Sequence, residues 1–382
     1  MKFKTFPIFL AFLVMGVADA MGPMASAVEK NYELSAVMAT LLTFFVFIAF
    51  AVFSVPGGVL AARIGKKNLL LLGLGLNIVA MAVPTFINPG FTLLLICIFL
   101  LGIGTTFLQV AGNPIMYDVS DEGKYSKNLA LAQGIKGLGS SGSAYLVGLV
   151  TTLTFFAAMG WRGVFPVFLL LMVLAFIFVL QLKVEETKAD VPPSIGSSLQ
   201  LLKNPVFALA VLGIFLYVGA EVCMARFLKP TLESFGLAAD NAALLGPTLF
   251  FGTVTFGRLI AGSINLNAHL FFRISATLGL LGVVLIMTGQ EYLSLLGVVL
   301  GGLGFANIWP MLFSITIEEK PERSSELSGL MVMAISGGAI VPLLMGKLVD
   351  ADLLAFAYIV PALCFGYLLA LSLKGKKKTV AA

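Results

Sequence analysis

The sequence predicts an all-α polytopic membrane protein with twelve transmembrane helices in two six-helix halves. Of the 382 residues, 59% are hydrophobic and 11% charged, against about 25% charged in ordinary soluble domains, and mean hydropathy is +1.03. The apolar residues fall into about twelve runs, each near the 20 residues that a helix needs to cross a hydrocarbon core of roughly 30 Å. Period-2 alternation over ten-residue segments, the mark of a membrane β-barrel, is absent. So much apolar surface behind so few charges excludes a cytosolic enzyme, a nucleic-acid binder and a disordered chain. The net charge of +5 comes from basic residues placed between apolar runs, so they need not form a groove for phosphates.

The runs lie at roughly 6–28, 36–62, 68–88, 91–117, 127–150, 164–183, 205–231, 239–262, 268–289, 292–317, 325–349 and 353–373. Glycine and polar residues weaken the fifth, eighth and eleventh. The first begins like a secretory signal, with Lys2 and Lys4, an apolar stretch and Ala18-Asp19-Ala20, but its apolar character continues to Val28. It reads as a retained span. After the sixth span, Val184 to Asn204 holds Glu185, Glu186, Pro192, Pro193 and a Ser/Gly run, which suits a linker. The expected organisation is therefore a first bundle over 1–183, a cytoplasmic linker over 184–204 and a second bundle over 205–382.

Lys and Arg set the orientation. With the N-terminus inside, Arg63, Lys66, Lys67, Lys124, Lys127, Lys183, Lys188, Lys203, Arg258, Arg273, Lys320, Arg323, Lys374, Lys376, Lys377 and Lys378 all fall on the cytoplasmic side. Both termini are then cytoplasmic, as an even number of spans in a cell inner membrane requires. The halves also echo each other. Gly102-x-Gly104 precedes Gly112-Asn113-Pro114 in the fourth span, and Gly302-x-Gly304 precedes Ala306-Asn307 and Pro310 in the tenth.

Ionisable groups within spans are costly, so each is a functional candidate. Asp19 lies about 20 Å into the first span. Pro23, four residues on, has no N–H for the Asp19 carbonyl and loosens the helix there. Asp19 reads as a proton-coupling carboxylate or as the partner of Lys136 in a permanent ion pair. Gln109 and Asn113 share a helix face, as do Gln133 and Lys136. Pro114 frees the Val110 carbonyl. Amides that donate and accept suit sugar hydroxyls, and they also serve as interhelical glue. Lys136 suits an anionic substrate or a counter-ion for Asp19 or Glu221. Glu221 and Arg226, five apart in the seventh span, read as an internal helix-to-helix pair or as substrate contacts, with Asn307 and Trp309 as further candidates in the tenth. Trp309 would stack on a sugar ring or simply pack.

Little is left for catalysis. Cys97, Cys223 and Cys364 sit within apolar spans as small hydrophobes, and the single histidine, His269, can form no metal cluster. No cofactor or metal is expected, and no nucleic-acid partner. The expected partners are the lipid bilayer and a small-molecule substrate, bound by a monomer.

The loop Gly58-x-x-x-Ala62-Arg63-x-Gly65-Lys66-Lys67 resembles the cytoplasmic signature of major facilitators, whose charges latch the two halves. Ala62 replaces the usual acid before the arginine. Pro23, Arg63, Lys66 and Lys67 are the candidate gating residues. Asp19-x-x-x-Pro23, Ser54-Val55-Pro56-Gly57-Gly58, Leu108 to Pro114, Leu129 to Gln133, Tyr217 to Val222, Ala306 to Pro310 and Met333 to Ile340, in that order and spacing, resemble the fucose–galactose–glucose proton symporters. The resemblance implies the major facilitator fold, proton/sugar symport, a protonatable Asp19 and a sugar-binding Gln133. Where a fucose-transporting member has a second acid, this chain has Gln109, as hexose-transporting members do. Where that member has a sugar-contacting asparagine, this chain has Lys136, which favours an acidic sugar as the alternative substrate. A multidrug exporter is the lesser alternative. Sodium would also suit one carboxylate beside carbonyls freed by prolines.

Overall fold

The computed structural model describes residues 5–35, 38, 41–150, 152–153, 159–187, 193–264, 267–351 and 353–374. Lys2, Lys4, Lys188, Pro192 and Lys376, Lys377 and Lys378 lie outside the described residues. Among the described residues there is no strand, and 10 helices are long and apolar enough to cross a membrane. The two remaining expected spans miss that standard for physical reasons. The first is interrupted, running as Phe6–Met15, a 3-10 stretch Gly16–Ala20 and a second α-helix Met21–Asn31. The fifth is one helix, Tyr125–Val150, whose glycines, serines, Gln133 and Lys136 dilute its apolar character.

The other spans follow the apolar runs closely. They are Leu41–Ile64, Lys66–Phe86, Phe91–Val119 and Gly160–Gln181 before the linker, with Pro205–Ser234, Ala239–Ala261, Ala268–Met287, Glu291–Glu319, Pro321–Asp350 and Phe356–Leu373 after it. Three of the later ones are irregular where proline or glycine breaks the ladder. The eighth passes through a π-helical turn at Leu244–Thr248 around Pro247. The tenth stops at Ala306, leaves Asn307 outside helical geometry (φ −111°, ψ 2°) and restarts at Ile308. The eleventh tightens to a 3-10 turn at Ala334–Ser336.

The chain forms two compact units: Met1–Lys203 with Glu319–Met333, and Asn204–Glu318 with Ala334–Ala382. The first division falls at the end of the expected linker. The second places the opening half of the eleventh span in the first unit, where it packs against the second and fourth spans. A small-residue crossing permits it. A Cβ on Gly58 would lie 2.7 Å from the Ser325 carbonyl oxygen, and one on Gly329 would lie 2.8 Å from that of Ser54. The same device of small residues at helix contacts recurs in both units. Gly104 approaches the Gly73 carbonyl of the third span, and Gly304 approaches the Gly279 amide of the ninth. These are the second glycines of the two Gly-x-Gly repeats.

The first span belongs to its unit's core. Ile8, Ala11, Phe12, Val14 and Met15 are fully buried, with the fifth and sixth spans against them. At the other end of that span, Tyr32 donates to the Pro89 carbonyl at 2.7 Å and Arg162 donates to the Ile87 carbonyl at 3.0 Å. Burial pushes the Tyr32 phenol above its ordinary range against the opposing pull of Arg162.

Candidate functional site

In the first unit, Asp19 sits on the 3-10 stretch, exposed within its unit, where the helix tightens ahead of Pro23. A 3-10 stretch inside a long helix often marks a hinge. Pro23 itself falls in the helix that follows, and its side chain lies outside the described residues. Asp19 Oδ2 accepts from Ser140 Oγ at 2.5 Å, and Ser143 Oγ donates to the Gly16 carbonyl at 3.2 Å. Gly16 and Gly139 bring the first and fifth helices together, since a Cβ on Gly139 would lie 2.1 Å from the Leu13 carbonyl oxygen. Of the two readings of Asp19, the ion pair with Lys136 is not formed, and a hydroxyl contact stands in its place. Lys136 is half-buried, and among the described residues of its unit it has no carboxylate partner.

The amides of this unit form a short chain. Gln133 Nε2 donates to Asn113 Oδ1 at 3.2 Å, and Asn113 Nδ2 donates to the Gln109 backbone carbonyl at 2.8 Å. Tyr125 Oη donates to the Asn113 carbonyl at 3.0 Å. All three amides are buried, and Gln109 Oε1 has no hydrogen-bond partner. Pro114 acts as expected on the Val110 carbonyl, which takes the Ser328 hydroxyl at 2.7 Å in place of a helical N–H.

The second unit repeats this logic at the broken tenth span. Pro310 has no N–H for the Ala306 carbonyl, and Arg258 Nε donates to it at 3.0 Å. Asn307 Nδ2 donates to the Gly257 carbonyl at 3.3 Å, while Asn307 Oδ1 and Trp309 Nε1 are buried without partners. The Trp309 ring packs on Phe313 with centroids 5.6 Å apart. Glu221 does not pair with Arg226, which is exposed with its guanidinium 5.6 Å from the Phe227 ring centroid. Its partners are the Tyr217 hydroxyl, which donates at 3.0 Å, and Arg258 at 3.6 Å. Arg258 was expected at the cytoplasmic end of the eighth span, as an orientation charge. It reaches instead to Tyr217, about 18 Å along the seventh span. The available signal was its position inside the eighth apolar run, directly after Gly257.

Of the candidate gating residues, Arg63, Lys66 and Lys67 sit in a polar network elsewhere in the first unit. Arg63 donates to the Pro193 carbonyl through Nη2 at 2.9 Å. Lys66 Nζ lies 2.6 Å from Asp118 Oδ2, with both side chains almost wholly buried. Lys66 is therefore an internal ion pair and not a snorkelling anchor. Gly65, at φ 96°, opens the third span, whose first amides, Lys66 N–H and Lys67 N–H, are capped by the Glu186 carboxylate. Arg323, expected in a loop, is also buried and binds Glu326, which accepts from Ser197 Oγ and Ser198 Oγ of the linker helix Ile195–Gln200. Counting only basic residues for orientation passed over Asp118, Glu186 and Glu326. A cavity of about 480 Å³ between the second span and the linker is lined by Pro56, Val59, Leu60, Arg63, Ser194 and Ile195, none of them a candidate ligand for substrate.

Comparison with known proteins agrees with this architecture. The sequence model described as Major Facilitator Superfamily matches residues 8–373. A glucose/galactose transporter of Brucella abortus is 30% identical, over 96% of this chain and 93% of its own. An L-fucose-proton symporter of Haemophilus influenzae is 22% identical, over 93% and 92%. The crystal structure of the transporter FucP in its outward conformation superposes with a TM-score of 0.83 at 20% identity, over 96% of this chain and 97% of that one.

Proposed function

The chain belongs to the Major Facilitator Superfamily, and on that premise we propose that it is a proton-coupled symporter importing a neutral hexose across the inner membrane by alternating access. One observation carries the reading beyond the family. The buried polar atoms without partners include Gln109 Oε1, Asn307 Oδ1 and Trp309 Nε1. Each unsatisfied group costs about 1–3 kcal/mol, a cost that a polyhydroxyl ligand can offset in either unit taken by itself, by donating to Gln109 Oε1 in the first, or by donating to Asn307 Oδ1 and accepting from Trp309 Nε1 in the second. The names of the Brucella and Haemophilus relatives support a sugar as that ligand. Asn113 and Gln133 hold the Gln109 turn in place, and the Trp309 ring offers an apolar face to a pyranose.

Asp19 is the coupling carboxylate in this reading. It is exposed in its unit, held by a hydroxyl and not by a fixed cation, so a proton can reach it and leave. A charge moved through 100 mV yields about 2.3 kcal/mol, enough for roughly fiftyfold accumulation. No cofactor is required. Both termini are cytoplasmic, and Arg63, Lys66 and Lys67 serve the transport cycle at that end.

A second reading, import of a sugar acid, is favoured by one observation: Lys136 has no carboxylate partner among the described residues of its unit. One assay separates the two. Reconstituted protein is given a pH gradient without sodium, and substrate-evoked current is recorded for neutral hexoses, 6-deoxyhexoses and hexuronates. Inward positive current with glucose or galactose, retained in Lys136→Gln, is the expected result. Response to hexuronates alone, lost in Lys136→Gln, would establish the second reading. Silence with every sugar would overturn both.

A further inference from the structure

We propose that Arg258 is a positioning residue which holds open the break in the tenth span and so sets Asn307 and Trp309 for the ligand. The ligand half of this proposal rests on the sugar reading above, whereas the positioning half does not.

The break has two loose ends, and one turn of the eighth span takes both. The Ala306 carbonyl, freed by Pro310, accepts from Arg258 Nε at 3.0 Å, and the Asn307 amide donates to the carbonyl of the preceding residue, Gly257, at 3.3 Å. The approach needs a glycine at 257, since a Cβ there would lie 2.7 Å from that of Ala306. With one N–H of Nδ2 engaged in this way, Asn307 Oδ1 is left without a partner, as is Nε1 of Trp309 two residues on.

The other edge of the guanidinium faces the seventh span. Arg258 Nη2 donates to Tyr217 Oη at 3.2 Å, and that hydroxyl donates to Glu221 Oε1 at 3.0 Å. A planar fork carries donors on separate edges, so one guanidinium reaches a carbonyl of the tenth span and the hydroxyl and acid of the seventh in fixed directions. Glu221 thereby becomes a holder of Arg258 in place of a direct sugar ligand. The arrangement explains why a charge that is expensive within a span sits beside a helix break: it replaces the N–H that Pro310 lacks and is neutralised across the gap.

The two roles of Arg258 separate by chain length. Glutamine carries an amide nitrogen at the same bond count as arginine Nε, so Arg258→Gln can still donate to Ala306. Methionine has similar length and no donor. Both leave Glu221 equally unpaired, so their difference reports the Ala306 bond. The chain has two tryptophans, and on a Trp161→Phe background the remaining fluorescence is that of Trp309. In ligand-free protein, Arg258→Gln should keep the parent emission and iodide accessibility, and Arg258→Met should shift both. Galactose titration should then show a Kd about tenfold weaker for Arg258→Met than for Arg258→Gln. If the unpaired acid prevents folding, the same pair is made on Glu221→Gln. Equal emission, or equal affinity, in the two variants overturns the proposal. Divergent emission with no binding by the parent of galactose, glucose, 6-deoxyhexoses or hexuronates supports the positioning role and overturns the sugar reading instead.

Discussion

Lys66 shows how a single side chain can be misjudged by its surroundings in sequence. It stands in a basic loop, Arg63-x-Gly65-Lys66-Lys67, where charges ordinarily face water and phospholipid headgroups. In the fold its ammonium is buried against Asp118, and the second oxygen of that acid accepts from Thr187 Oγ1 at 2.8 Å. Removing one member of a buried pair leaves an uncompensated charge, at about 3–5 kcal/mol. Lys66→Met should therefore lower thermal stability in detergent by that order, while Lys66→Met with Asp118→Asn should recover most of it. A Lys66→Met chain as stable as the parent would mean that the pair contributes nothing. Neither residue advertises its partner, because 52 positions separate them and helix periodicity relates only neighbours.

At the scale of elements, the crossing of the first and fifth helices joins packing to chemistry. Gly16 and Gly139 let the backbones touch, and that closeness brings Ser140 to Asp19. Gly139→Ala would push a methyl group into the Leu13 carbonyl, an overpacking that typically costs about 1–3 kcal/mol, and would part Ser140 from the acid. Gly142→Ala, one turn further along the same helix, meets nothing within 4 Å. The expected outcome is loss of stability and uptake in the first variant and neither in the second, read by thermal unfolding and radiolabelled sugar uptake. Much of this scale was legible beforehand. Pro114 announces a carbonyl without its helical donor four residues earlier, and the same rule applies to Pro310, whereas the break at Asn307 appears only in the fold. What fills those carbonyls, Ser328 in one unit and Arg258 in the other, was not legible. The donors come from distant helices, and hydropathy relates neither of them to a carbonyl in another span.

For the whole molecule, coupling is the property to be tested. Asp19→Asn keeps a group that can accept from Ser140 but cannot exchange a proton. It should abolish accumulation of sugar against a gradient and leave sugar exchange across the membrane at or above the parent rate, measured by counterflow in proteoliposomes. Accumulation that survives the change would remove Asp19 from the coupling role. The twelve-span plan and the linker could be read from apolar runs and from the polar stretch before Asn204. The inclusion of Glu319–Met333 in the first unit could not. Its determinants are a glycine pair, Gly58 and Gly329, and a buried acid, Glu326, none of which alters the apparent length or polarity of a span.

That late segment also governs when the molecule can be finished. A ribosome delivers the first unit's main body up to Lys203 and must then make all of Asn204–Glu318 before the missing strip, Glu319–Met333, emerges. At about 5–20 residues per second, the wait is on the order of ten seconds. During it, the glycine face of the second span and the Val110 carbonyl are without their native cover. The first half to enter the membrane is therefore among the last to be completed.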